Sequence, residues 1–180
     1  MEKKIKETIP FWLATAITAV LSLPLGLYLG KFNVPLWVTF IVWAQFFLYG
    51  AKLDSWKTIF PCFAAGALFS TLGMVLAALL MKIPALAAAN GLPAIGIGFG
   101  LAVCIMVYCM RFYKTFQTGS LSYFNGMAMM LAVYFTNSYP HGGTFNITFP
   151  IIAGLWTILV GWFGVLVGWF NVKITFPRQV

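Results

Sequence analysis

Residues 59–81 read IFPCFAAGALFSTLGMVLAALLM, a run without a single charged side chain. A helix needs about twenty predominantly apolar residues to cross the hydrocarbon of a bilayer, and this run meets that requirement. It lacks the period-2 alternation of a transmembrane barrel strand. Five further stretches read the same way: Pro10 to Leu29 with Pro24 inside it, Val34 to Ala51, a stretch between Ile83 and Met110, Gly119 to about Thr136, and Phe149 to Phe170. The expected fold is therefore all-α, a polytopic bundle of six transmembrane helices forming one domain over residues 1–180.

Composition agrees. Of 180 residues, 62% are apolar and 8% charged, whereas a soluble domain runs near 45–50% and 25%. Disordered chains are poor in apolar residues and are excluded by the same figures. The net charge of +8 suggests nucleic acid, but the basic residues lie singly between apolar runs and form no patch. Counted by loop, they describe a topology. With the amino terminus inside, the inner segments hold Lys3, Lys4, Lys6, Lys52, Lys57, Arg111, Lys114, Lys173 and Arg178, and the outer loops hold Lys31 and Lys82. Cytoplasmic loops carry the excess of Lys and Arg, so both termini are expected in the cytoplasm. The lysines before Pro10 resemble a signal-peptide n-region, but the apolar run is too long and no small-x-small cleavage site follows. It reads as an uncleaved first helix. Trp12, Trp37, Trp56, Tyr108, Tyr139 and Trp169 near the segment ends fit interfacial anchors.

The fourth stretch is interrupted by Asn90-Gly91-Leu92-Pro93. Its main helix is expected to start at Pro93, leaving residues 84–90 as a short outer piece, either a surface loop helix or a half-helix dipping into the membrane. An internal repeat also emerges. Phe60-Pro61 opens the third apolar stretch and Phe149-Pro150 the sixth. Gly66 and Gly73 recur as Gly154 and Gly161, at an offset of 88 or 89 residues. Two three-helix units, 10–81 and 83–170, would then lie in the membrane with opposite orientation. Inverted repeats of this kind build many transporters.

Intramembrane chemistry is sparse. The acidic residues Glu2, Glu7 and Asp54 all fall in inner segments, and His141 is the one histidine. Proton-coupled carriers and charged-ring filters need ionisable groups at depth, paired-histidine haem needs a second histidine, and a hydrolase triad needs a carboxylate beside one. No catalytic, cofactor-binding or metal-ligating residue is assigned, and the chain is not read as an enzyme. Cys62, Cys104 and Cys109 show no metal spacing and read as small buried core residues. What remains is neutral. Gln45 in Trp43-Ala44-Gln45-Phe46-Phe47 and Asn125 in Phe124-Asn125-Gly126 place amides inside apolar helices. A buried amide without a partner costs on the order of 2–7 kcal/mol, so each must meet another helix, water or a solute. Gln45, Asn125, Trp43 and Thr39 are the candidate pore-lining residues; His141 and Asn90 are candidates for the pore mouth. Gly96, Gly98 and Gly100, and Gly161, Gly164 and Gly168, mark close-packing faces.

The tryptophan-bearing second helix ending at Gly50 and the glycine-rich third helix opening at Phe60-Pro61, within six short helices, resemble the bacterial inner-membrane family of unknown function numbered 1097. The resemblance implies a multispanning inner-membrane protein and brings no substrate. The functional expectation is a channel or facilitator for a small neutral polar solute (urea, ammonia, a short amide or a polyol) acting as a homo-oligomer in the bilayer. The alternative is a non-catalytic membrane subunit or scaffold of a larger complex. Reporter fusions at Val180 and near Gly142 should report opposite compartments; an exported carboxyl terminus would refute the six-helix topology.

Overall fold

A computed structural model describes residues 7–140 and 147–176. Its helices are α1 (Phe11–Tyr28), α2 (Leu36–Leu48), α3 (Trp56–Leu80), α4 (Pro84–Cys109), α5 (Lys114–Thr118), α6 (Ser120–Phe135) and α7 (Thr148–Thr175), and the described residues contain no strand. Four helical segments are long and apolar enough to cross a membrane: Phe11–Tyr28, Leu53–Leu80, Pro84–Cys109 and Thr148–Thr175. The other two apolar helices are shorter. With 13 residues in α2 and 16 in α6, they measure about 20 and 24 Å at 1.5 Å per residue, against roughly 30 Å of hydrocarbon. The apolar runs 34–51 and 119–136 include the residues that end these helices. Gly50 (φ +93°) and Ala51 (φ 54°) turn the chain after α2, and Asn137 (φ 54°) does so after α6.

Other boundaries move for backbone reasons. The third helix begins at Trp56, not at Phe60-Pro61, behind a 3-10 turn at Leu53–Ser55. Pro61 therefore sits in its second turn, where it cannot donate to the carbonyl four residues earlier. Asp54, paired with Lys57 at 2.7 Å, brings a negative charge to the helix start, where the macrodipole favours it. Pro150 falls in the first turn of α7, where its missing N–H has no intrahelical role. Within α4 the helix breaks at Ala88, and Ala89, Asn90 and Gly91 all take positive φ. The main α4 helix restarts beside Pro93, with 84–87 as the separate outer piece. A side chain in the left-handed region costs about 1–2 kcal/mol, so the Ala89 conformation is strained. Gly91, the most buried of these, packs its bare backbone against Met81.

Two helices occupy the centre. α3 packs along α4 and α6, and α7 packs along α2 and touches α1 more lightly; α3 and α7 also cross each other. The crossings are backbone to backbone. A β-carbon on Gly66 would strike the Tyr123 carbonyl of α6, and one on Gly126 would strike the Phe63 carbonyl of α3. Gly164 meets the Thr39 carbonyl of α2 in the same way, and Gly73 faces Gly98 and Ala102 of α4. The glycine faces expected on α4 and α7 are thus used inside the subunit at Gly98, Gly161, Gly164 and Gly168, while Gly96 and Gly100 face open space. The glycines paired by the 88-residue offset have different neighbours: Gly66 lies on α6, but Gly154 lies on the Thr71 side chain of α3. The main core joins Val38, Val42, Phe46, Phe63, Met74, Met130, Val133 and Val160.

Two chemical readings change. Tyr139 is not an interfacial anchor: it is 1% exposed, with its ring 6.3 Å from that of Tyr134 in a parallel stack. Cys62 is buried, but Cys104 is exposed on α4 and Cys109 half-buried, because α4 turns only one face to α3. Both flanks of the described chain meet at one end, where the Thr8 amide donates to the Thr175 carbonyl at 2.9 Å. Long apolar side chains such as Leu27, Leu72 and Leu101 cover the outside, the surface an integral membrane protein offers to lipid. Gly126→Val should lower stability by about 1–3 kcal/mol through overpacking, whereas Leu101→Val, on the exposed face of α4, should be near neutral. Thermal unfolding in detergent separates them, and equal midpoints would refute the backbone contact.

Candidate functional site

The inward face of α2 carries Val38, Thr39, Val42, Trp43, Gln45 and Phe46, the three-to-four spacing of one helical side. Gln45 stands one turn from the C-terminal end of α2 rather than mid-helix, and it is 1% exposed. Its Oε1 accepts from the Ser122 hydroxyl of α6 at 2.6 Å. Its Nε2 is buried with no hydrogen-bond partner. Trp43 lies beneath Gly168 of α7, beside Phe40 and Phe47, and its indole N–H is also buried and unpartnered. Thr39 donates to the Val160 carbonyl of α7 at 2.9 Å, one helical turn from the glycine contact at 164. Three of the four expected pore-lining residues therefore sit in helix interfaces.

Asn125 is half-buried on α6, one turn beyond Ser122. The structure brings Gln45 to Ser122, not to Asn125. Asn90 is exposed in the left-handed turn at the α3–α4 end. His141 lies outside the described residues. Among those residues, no cluster of three His, Cys, Asp or Glu side chains could hold a metal.

A second polar centre was missed by sequence reasoning. Asn171 of α7 is fully buried, and its Nδ2 donates to Thr15 Oγ1 at 3.2 Å and Thr18 Oγ1 at 3.4 Å on α1. Both threonine hydroxyls donate in turn to their own helix, at the carbonyls of Phe11 and Ala14. The Oδ1 of Asn171 is buried and unpartnered, as is the hydroxyl of Ser70 on α3. A signal for Asn171 exists in the chain: Gly164, Gly168, Asn171 and Thr175 continue one helical face, all buried. Ending the apolar stretch at Phe170 hid it.

At the opposite end of α1, Asn33 ties three elements together. Its side-chain amide donates to the carbonyls of Tyr139 (3.3 Å) and Asn137 (3.4 Å), and its own carbonyl accepts from the Trp156 indole at 3.3 Å. Burial pushes the phenol pKa of the adjoining Tyr139 up, so that ring stays neutral. Two cavities flank this knot. One, of about 250 Å³, is lined by apolar side chains of α1, α2 and α7, including Leu25, Leu36, Leu159 and Phe163. The other, of about 330 Å³, is lined chiefly by polar groups, among them Asn33, Thr136, Asn137 and Ser138. Thr39 lines the first; Gln45 and Asn125 line neither.

An all-helical chain with four membrane-length apolar helices, joined internally by neutral amides and hydroxyls, is an integral membrane protein. It belongs to the DUF1097 family of proteins of unknown function, whose model matches residues 12–172. No curated protein and no solved structure matches the chain.

The Asn171 knot is testable as an interhelical bond. Such bonds are worth about 0.6–2 kcal/mol in membrane bundles. Asn171→Leu and Thr18→Val should each destabilise the protein, and the double variant should lose less than the sum of the two. Strict additivity in thermal unfolding would deny the contact.

Proposed function

We propose that the protein is a facilitator for a small neutral polar solute of the urea, ammonia, amide or polyol class. In this reading six helices cross the bacterial inner membrane, with both termini cytoplasmic and no ion coupling. The observation that carries it is the set of buried, neutral polar atoms without partners: Gln45 Nε2, Trp43 Nε1, Tyr49 Oη, Ser70 Oγ, Trp169 Nε1 and Asn171 Oδ1. Buried polar groups are normally paired with protein or ordered water. Amides that can donate and accept suit a solute that must shed hydration while crossing. The absence of charge at these positions suits a neutral one.

The helix arrangement supports the accompanying inverted repeat. If α1, α2 and α3 correspond to α4, α6 and α7, then each third helix packs on the first two helices of the other unit. α3 does so along α4 and α6, and α7 along α1 and α2. Gly66 on the Tyr123 carbonyl answers Gly164 on the Thr39 carbonyl. This correspondence has a register of 98 residues in the third helices and 84 in the second, instead of the 88–89 suggested by Pro61 and Pro150. A longer connection before α7, a longer α6 and the later position of Gly164 along α7 together make up the difference. Homo-oligomerisation has support in Gly96 and Gly100, four residues apart on α4 with open space before them, the spacing at which membrane helices approach closely.

One observation favours a scaffold or non-catalytic subunit instead: Gln45 already has Ser122 as a partner in a closely packed interface. Flux and stability separate the readings. Stopped-flow light scattering of proteoliposomes against a panel of neutral solutes should reveal a wild-type flux. Gln45→Leu and Asn125→Leu should slow it by about tenfold or more, equivalent to 1.4 kcal/mol on the barrier, with the protein still folded. Unimpaired flux in both variants, with lowered thermal midpoints, would assign the amides to helix association. A wild type without flux for every solute would favour the scaffold.

A further inference from the structure

The two cavities at the α1–α2 turn adjoin each other, one almost wholly apolar and the other chiefly polar. Val34 borders both. On one side the walls are side chains of Leu25, Leu36, Leu159 and Phe163, with almost no polar surface. On the other, amides and hydroxyls of Asn33, Thr136, Asn137 and Ser138 share the wall with Pro35 and Trp37, and Thr136 Oγ1 and Ser138 Oγ lie 2.8 Å apart.

The apolar cleft exists because α1 stands away from α7. α4, the helix in the matching position on α3, is drawn in by Gly73 against Gly98 and Ala102. α1 meets α7 through the Asn171 knot at the far end, and near its own C-terminus Leu25 and Leu29 line the cleft with Leu159 and Phe163 of α7. Leu29, Leu159 and Phe163 remain 39–46% exposed at the mouth, so the cleft opens sideways, onto the surface that faces bilayer chains. Water has no partners there, and an empty void would forgo dispersion contacts with every wall. The polar cavity lies beyond the helix ends, at the level of Asn33 and Asn137, where headgroups lie.

We infer that this paired cavity is a binding site for one bilayer phospholipid, an acyl chain filling the apolar cleft and the ammonium donor of its head accepted by the Thr136 and Ser138 hydroxyl oxygens. The cleft matches a flexible chain and the adjoining pocket its hydrogen-bonding head. The inference is independent of whether the protein conducts a solute.

Native mass spectrometry of delipidated full-length protein, titrated with phosphatidylethanolamine, tests it. The wild type should retain a single saturable lipid. Leu159→Trp and Leu25→Trp, which fill the cleft, should weaken retention about tenfold. Leu155→Trp, exposed on the same helix outside the cleft, should not. The double variant Thr136→Ala/Ser138→Ala should erase the preference for phosphatidylethanolamine over palmitate. A wild-type measurement covers the case in which both tryptophan variants misfold. A phosphatidylethanolamine with a photoreactive acyl chain, used below one lipid per protein, should label residues 25–36 and 156–163. Labelling spread evenly over the lipid faces of α3 and α4, or equal adduct ladders in every variant, would overturn the site. A dimer that excludes the lipid would assign the cleft to a second copy.

Discussion

Contact between bare backbones is the constraint on which this structure rests. Lipid tails are as apolar as leucine, so the hydrophobic effect that drives soluble helices together is absent between these, and close packing must supply the association. Gly66 and Gly126 let α3 and α6 meet carbonyl to β-carbon position, and Gly164 does the same for α7 and α2. Larger side chains at these points would push the axes apart and separate the flanking core residues, Phe63, Val42 and Phe46 among them. The short helices α2 and α6 are both gripped this way, as α4 is through Gly73 and Gly98. Their position is therefore set by the long helices that hold them rather than by their own fit to the bilayer.

Polar groups then find their roles within that frame. Thr39 reaches a carbonyl of α7, Tyr123 one of α4 at 3.1 Å, and Ser122 the amide of Gln45. The Thr39 bond runs between helices that a glycine contact joins directly; the other two link α6 to α4 and to α2, helices held in place by their packing on the central pair α3 and α7. Asn171 is different. It joins α7 to the helix with the least glycine contact, and two threonines share its amide. One neutral side chain thus does for α1 what backbone proximity does for α2, α4 and α6.

Much of the fold was legible because its signals are long. Apolar runs of membrane length identify α1, α3, α4 and α7, and Asn90-Gly91-Leu92-Pro93 locates the break in α4 from backbone chemistry alone. Local signals failed where termination depends on a few residues. In the run 34–51 Gly50 is a stop signal of the usual kind, but hydropathy alone carries the run on to Ala51, and both residues leave the helical region. The site was less legible. Gln45 announces itself as an amide among aromatics, but Ser122 cannot be named as its partner without the relative register of α2 and α6. That register is a tertiary property. Tyr139 misled for the opposite reason: a tyrosine next to a helix end usually marks the interface, and here the stack on Tyr134 draws it inward.

The unequal treatment of α1 and α4 links architecture to function. Two units with the same helix order would give equivalent seams, α4 on α3 and α1 on α7. The first seam is closed by small residues along the crossing. The second is polar at one end and leaves an apolar cleft at the other. α1 is held at one end by the Asn171 amide on Thr15 and Thr18, and at the other by Gly26 against the Leu36 side chain of α2. The glycine-locked helices would have to open backbone contacts in order to move. The α1 seam is therefore the one whose packing a chain lying in the cleft would complete, whereas the seams of α2, α4 and α6 are closed by their own glycine contacts.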